Sequence, residues 1–165
     1  MKWYWKLMVL IAVATLVFMI GGMVYLVRAK YASNDYVTQL GLSFNAAMMV
    51  NAQETYTDED KAVIADHQGR RAVIVPENYK ALQSYLRRDC AMPLVSFVNR
   101  EQALHISFCA ENHLYVQGDR DGQGANLLFE CGKKTFRMHV SGGDLWQKIL
   151  DLSLDGWAQS PNLPL

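Results

Sequence analysis

The stretch Leu127-Leu128-Phe129-Glu130-Cys131-Gly132-Lys133-Lys134-Thr135-Phe136-Arg137-Met138-His139-Val140 decides the fold. Residues 127–131 and 134–140 alternate apolar with polar, and only Gly132-Lys133 stands between them. A two-residue connection containing glycine joins antiparallel strands. That join sets Phe129 opposite Phe136 and Leu127 opposite Met138, so one face of the pair is apolar. Arg137 and His139 point the other way.

Working upstream, residues 103–109 place Leu104, Ile106 and Phe108 on one face and His105, Ser107 and Cys109 on the other. In residues 113–117, Leu114 and Val116 alternate with His113, Tyr115 and Gln117. A two-residue loop between these strands mixes the faces. A three-residue loop at 110–112 keeps them sorted by pairing Phe108 with Leu114 and Cys109 with His113. Residues 62–66 and 71–75 read as a further hairpin turning at Gln68-Gly69. Pro76 then opens an amphipathic helix through Tyr79, Leu82, Tyr85 and Leu86 to about Arg88. Residues 93–98 form another apolar run.

Downstream, Ser141-Gly142-Gly143 ends the sheet, and Asp144 is expected to cap a helix whose stripe is Leu145, Ile149 and Leu152. The pattern strand, Gly69-Arg70-Arg71, strand, helix recurs as strand, Gly132-Lys133-Lys134, strand, helix. The predicted class is α+β: an antiparallel sheet of five to seven strands, covered on one face by two to three helices, behind an N-terminal transmembrane helix.

That N-terminal segment is the other decisive stretch. Residues 7–27 contain no charge, and 18 of these 21 residues are apolar, the exceptions being Thr15, Gly21 and Gly22. As a helix they span about 30 Å, the thickness of a bilayer's hydrocarbon core. Trp3, Tyr4 and Trp5 before the run, with Tyr25 and Tyr31 near its end, suit the interfaces. The run is longer than a secretory signal's apolar region and is closed by Arg28 and Lys30 without a small-x-small site, so an uncleaved signal anchor is predicted. The chain then divides into an anchor at 1–30, a juxtamembrane helix and acidic connector at 31–60, an α+β domain at 61–156 and a loose tail at 157–165. The juxtamembrane helix is read from Tyr36, Val37, Leu40, Phe44, Ala47 and Met48, with Asn34 as its cap.

Charge is split along the chain. Its 16 basic and 16 acidic residues cancel, yet every acidic residue lies at or beyond Asp35, while Lys2, Lys6, Arg28 and Lys30 precede it. The result is a basic, apolar end of +4 and an acidic body of −4, which excludes a nucleic-acid-binding domain driven by bulk positive charge. Lys2, Lys6 and the terminal amine outweigh Arg28 and Lys30 by one charge, which predicts a single-pass protein with its C-terminal domain extracytoplasmic.

Two groups of side chains carry chemistry. The outward face of the sheet collects His105, Ser107, Tyr115, Arg137 and His139, with His113 beside them, and suits a ligand or partner. Three imidazoles and a thiol also form a zinc donor set if they converge, although none of the compact ligand spacings is present. Counting from Asp119 as position 1 puts Asp121 at 3, Gln123 at 5, Gly124 at 6 and Glu130 at 12. Over these 12 residues the chain resembles an EF-hand loop, which implies calcium held by Asp119, Asp121, Gln123 and Glu130. The alternative is a solvated, glycine-rich connection between strands. Cysteines 90, 109 and 131 form no C-x-x-C and are read as free thiols. The basic tips Arg70-Arg71 and Lys133-Lys134 reach anionic headgroups only if both hairpins point at the membrane.

H-E-x-x-H, G-x-S-x-G, phosphate-loop and dinucleotide fingerprints are all absent from the sequence. The expectation is a membrane-anchored, non-enzymatic binding or assembly module without a cofactor. It would hold the lipid bilayer through residues 7–27, meet a protein partner at the membrane and bind no nucleic acid. The alternatives are a small extracytoplasmic enzyme or metal-dependent factor, and an accessory subunit of a larger membrane complex.

Overall fold

The computed structural model describes residues 2–51, 62–93 and 97–155. Residues 52–60 of the acidic connector and the tail at 157–165 lie outside the described residues, as do residues 94–96 within the apolar run at 93–98.

Helix α1 runs unbroken from Lys2–Asn51, about 75 Å at 1.5 Å per residue. It is long and apolar enough to cross a membrane, and its apolar window buries none of its surface against the protein. The juxtamembrane helix is therefore the second half of the same element. Asn34 is not a cap: it lies in mid-helix, its carbonyl accepting the Thr38 hydroxyl at 2.8 Å. The reason is local, because residues 28–35 contain neither proline nor glycine and nothing interrupts the i to i−4 ladder. Gly41, the one glycine in the docked half, lets α2 approach, since a Cβ there would meet the Gln83 amide at 3.1 Å.

Among the described residues six strands follow: β1 (Val63–His67), β2 (Arg70–Val73), β3 (Leu104–Phe108), β4 (Asn112–Gly118), β5 (Gly124–Cys131) and β6 (Lys134–Ser141). They form one antiparallel sheet in the order β2-β1-β3-β4-β5-β6. Helix α2 (Tyr79–Leu86), entered by a 3₁₀ turn at Pro76–Asn78, connects the first hairpin to β3, and α3 (Leu145–Leu154) closes the chain. The expected α+β layout is thus observed, with three helical segments on the apolar face.

The β5–β6 register is the predicted one, Phe129 opposite Phe136 and Leu127 opposite Met138. In the first hairpin Gln68 and Gly69 both take positive φ, 51° and 76°, which matches the turn to the twist of the strands. The β3–β4 register needs correction. Phe108 pairs with Asn112 and Ile106 with Leu114, so His113 stands opposite Ser107 and not Cys109. The loop is still three residues long, but it is 109–111, with Cys109 and Ala110 at positive φ. It closes early because the Cys109 amide is held by the Ala62 carbonyl beside it, at 3.1 Å. A slip of two residues keeps every side chain on its predicted face.

The core lies between this sheet and the helices. Tyr36, Leu40, Phe44 and Ala47 of α1 pack with Tyr79, Leu82 and Leu86 of α2 and Leu145 and Ile149 of α3 against the inward strand residues. Each large apolar side chain so buried contributes about 1.5–3 kcal/mol. Asp144 takes the N-cap position of α3, but at φ 55° and without a side-chain capping bond. The buried stripe there is Leu145, Ile149 and Ser153, with Leu152 only half-buried.

The direction of α1 across the sheet positions everything else. Tyr36 touches Phe136 of β6 at 6.1 Å between ring centroids, and Phe44 touches Phe108 of β3 at 4.9 Å. The eight residues between them advance about 12 Å, close to the roughly 14 Å of three strand spacings. Helix α1 consequently runs across the strands and leaves the domain past the β6 edge.

Candidate functional site

The outward face is organised in rows by strand pairing. One row reads Arg71, Asp66, His105, Tyr115, Leu128 and Arg137 across all six strands. Its neighbour reads Ile64, Ser107, His113, Glu130 and Thr135. His139 sits with Asn126 and Gln117 in a third. Of the predicted face residues, the structure thus aligns His105, Tyr115 and Arg137, puts Ser107 beside them, and leaves His139 apart.

At the centre His105 stacks on Tyr115, with centroids 4.7 Å apart and planes 13° from parallel. His105 Nε2 lies 3.2 Å from His113 Nδ1. One nitrogen must donate and the other accept, so the contact requires at least one neutral ring. Burial, and then the neighbouring His113, holds the His105 imidazole below its usual range, offset in part by Asp66 and Glu130 and reinforced by Arg71.

The segment before β3 folds over this face. Asn99 donates its backbone amide to Gln117 Oε1 at 2.8 Å, and the Arg100 guanidinium lies 5.1 Å from the Tyr115 ring centroid. Arg100 also pairs with Glu130. Arg100 and Asp66 are members of the site that the sequence reading did not single out. Arg100 belongs to a loop, where no periodicity marks which face a side chain will meet.

The calcium-like loop is a hairpin connection at 119–123 between β4 and β5. Its Asp119 carboxylate accepts the Asn126 amide at 3.1 Å and meets His139 Nε2 at 2.8 Å. Asp121 and Gln123 are exposed on the loop. Glu130 is not with them. It stands opposite His113, six residues or about 20 Å along β5 from Gly124. The twelve positions close a ring only when helices flank the loop, and here the second half is extended strand. Among the described residues no group of three or more His, Cys, Asp or Glu is placed to hold a metal ion. His105 and His139 are three strands apart, about 14 Å, so the imidazoles do not converge either.

The three cysteines are free. Cys90 lies where α1 passes the end of α2, and burial pushes its thiol up to about 11. Ser33 and Tyr36 donate their hydroxyls to the Cys90 and Leu86 carbonyls, both at 2.9 Å, so α1 satisfies carbonyls at the α2 C-terminus. At the end of the apolar span, the Tyr25 hydroxyl donates to the Met92 carbonyl at 3.1 Å. Ala91 bridges His139 through two backbone bonds of 2.9 and 2.8 Å, covering part of the β6 edge.

The two basic hairpin tips do not share a side. Gln68-Gly69 and Gly132-Lys133 lie at opposite edges of the sheet and at opposite ends of its strands. Only the Lys133-Lys134 tip is near α1, where Lys134 bonds Asp35 at 2.8 Å and lowers its carboxyl below the usual range.

Fold and site together define an α+β domain carried on a long apolar helix, with an aromatic and imidazole row on its open sheet face. Compared with known protein families, with curated proteins and with solved structures, the chain matches none.

Proposed function

We propose that this protein is a single-pass, membrane-anchored binding or assembly module, non-enzymatic, which presents the outward sheet face to a protein partner at the membrane surface. The observation that carries the reading is the continuity of α1. Its first half is apolar and exposed, and its second half is the core helix of the domain. Apolar surface of that extent is stable only when lipid or another helix covers it. Under this reading the domain is extracytoplasmic.

The partner face is supported by its composition. Aromatic and cationic groups side by side, as in His105, Tyr115, Arg100 and Arg137, suit a protein contact. The test is a pair of measurements on the full-length chain in its native membranes. Alkaline carbonate should leave it in the membrane pellet, and release into the supernatant refutes the anchor. A photo-crosslinking residue at Ser107 should give a discrete adduct that one at Gln147, exposed on α3, does not. Equal yields at both positions refute the partner face.

A further inference from the structure

The membrane-near edge of the domain holds a cleft that shares only Arg137 with the partner face. It lies between α1 and β6, has a volume of about 440 Å³, and is lined by Ala32, Met92, Pro93, Phe136, Arg137 and Met138 among others. Met92 divides it from a second cleft of about 340 Å³ bordered by Tyr25, Lys30 and Ser33. Both sit where the chain leaves the apolar span. Ala32 is five residues past Val27, about 7.5 Å along the helix. The headgroup layer of a leaflet is about 5–7.5 Å deep. The cleft therefore opens at headgroup depth once α1 crosses a bilayer.

Its charge is that of an anion site. Arg137 is exposed, and it has no hydrogen-bond or ion-pair partner among the described residues. Lys30 of α1 lines the adjoining cleft. The acidic residue of α1, Asp35, is already engaged by Lys134. From Asp35 onward the chain has net −4, so these two cations run against its overall charge. The remaining walls, Met92, Pro93 and Met138, are apolar.

We propose that this cleft binds an anionic glycerophospholipid of the surrounding leaflet, the Arg137 guanidinium taking the phosphate and Met92, Pro93 and Met138 the glycerol and first acyl carbons. Arginine suits the phosphate because its planar fork offers two parallel donors. The apolar walls suit the part of a lipid that lies just below the phosphate. The inference rests on α1 crossing the membrane, as proposed above, and adds a specific lipid site to that anchor.

The test uses the full-length chain purified in detergent, titrated with dioleoylphosphatidylglycerol or dioleoylphosphatidylcholine and read by native mass spectrometry. Phosphatidylglycerol should be retained in preference to phosphatidylcholine. Arg137→Ala should weaken that retention about fivefold, the effect of one cation at a lipid surface, and Arg137→Lys, which keeps the charge without the fork, should restore only part of it. Arg70→Ala, at the far corner of the sheet, should leave it unchanged. Equal retention of the two lipids, or equal effects of Arg137→Ala and Arg70→Ala, overturns the site. If the chain resists carbonate extraction yet shows no lipid preference, the headgroup site alone falls. If carbonate releases it, the anchor and this site fall together.

Discussion

Replacing Tyr36 by phenylalanine removes one oxygen from the centre of the domain. That hydroxyl is buried and donates at 2.9 Å to the Leu86 carbonyl, in the last turn of α2. The ring itself packs edge-on against Phe129 and Phe136 at 5.9 and 6.1 Å, contacts that phenylalanine keeps. No cavity term enters. The cost is that of a buried carbonyl left without a donor, about 1–3 kcal/mol. For a domain of this size each kcal/mol lowers the melting temperature by about 4–8 °C. Thermal unfolding of the full-length chain in detergent, followed by near-ultraviolet circular dichroism, should therefore show Tyr36→Phe melting well below wild type. Thr38→Val is the control, because its hydroxyl bonds Asn34 on the exposed side of the same helix at 2.8 Å. A Tyr36→Phe melting curve that overlays wild type, or an equal loss in Thr38→Val, refutes the claim that α1 is a core helix closing α2.

Three further outcomes are expected. His105 is held below its ordinary range, so the unfolded chain binds a proton more readily and stability falls as pH drops through the usual imidazole pKa of about 6.5. The stability of wild type relative to His105→Gln, from urea midpoints, should be lower at pH 5.5 than at pH 7.5, and a flat difference counts against it. A Cβ on Gly124 would lie 2.5 Å from the Val140 carbonyl, a backbone atom fixed by the β5–β6 ladder. Gly124→Ala should cost about 1–3 kcal/mol, while Gly22→Ala, with nothing within 4 Å, should be neutral in the same melts. With its thiol near 11, Cys90 should trap iodoacetamide far more slowly at pH 8 than an unperturbed peptide thiol. Peptide mapping that finds Cys90 alkylated as fast as an unperturbed peptide thiol would contradict its burial.

The strands were legible because one face is buried and the side-chain period of two leaves little freedom. Leu104, Ile106 and Phe108 faced inward as read, and so did Phe129, Phe136 and Met138. What alternation does not fix is sliding by two, and it was there, between Phe108 and Asn112, that the β3–β4 pairing departed from expectation. The Asn34 cap failed for a different reason. Asparagine favours a helix start only where the chain has cause to begin one, and an apolar helix was already running through it. The outward row was legible as a set of residue types but not as an arrangement. The slip decided that His113 meets Ser107, and a loop residue, Arg100, covers Tyr115. Likewise, offsets alone brought Glu130 to the Asp119 loop, and the extended strand between them takes it away.

The unbroken α1 has a mechanical consequence. No hinge separates the apolar half of α1 from the sheet, so in a bilayer the domain would have to tilt as the helix tilts. From Val27 to the β2 edge, helix rise and five strand spacings give a lever of about 37 Å. A 10° change of tilt, well within the range that bilayer thickness imposes on single helices, swings that far edge sideways by about 6 Å. The outward row would move with it, so that in a membrane its position would shift with the thickness of the lipid beneath.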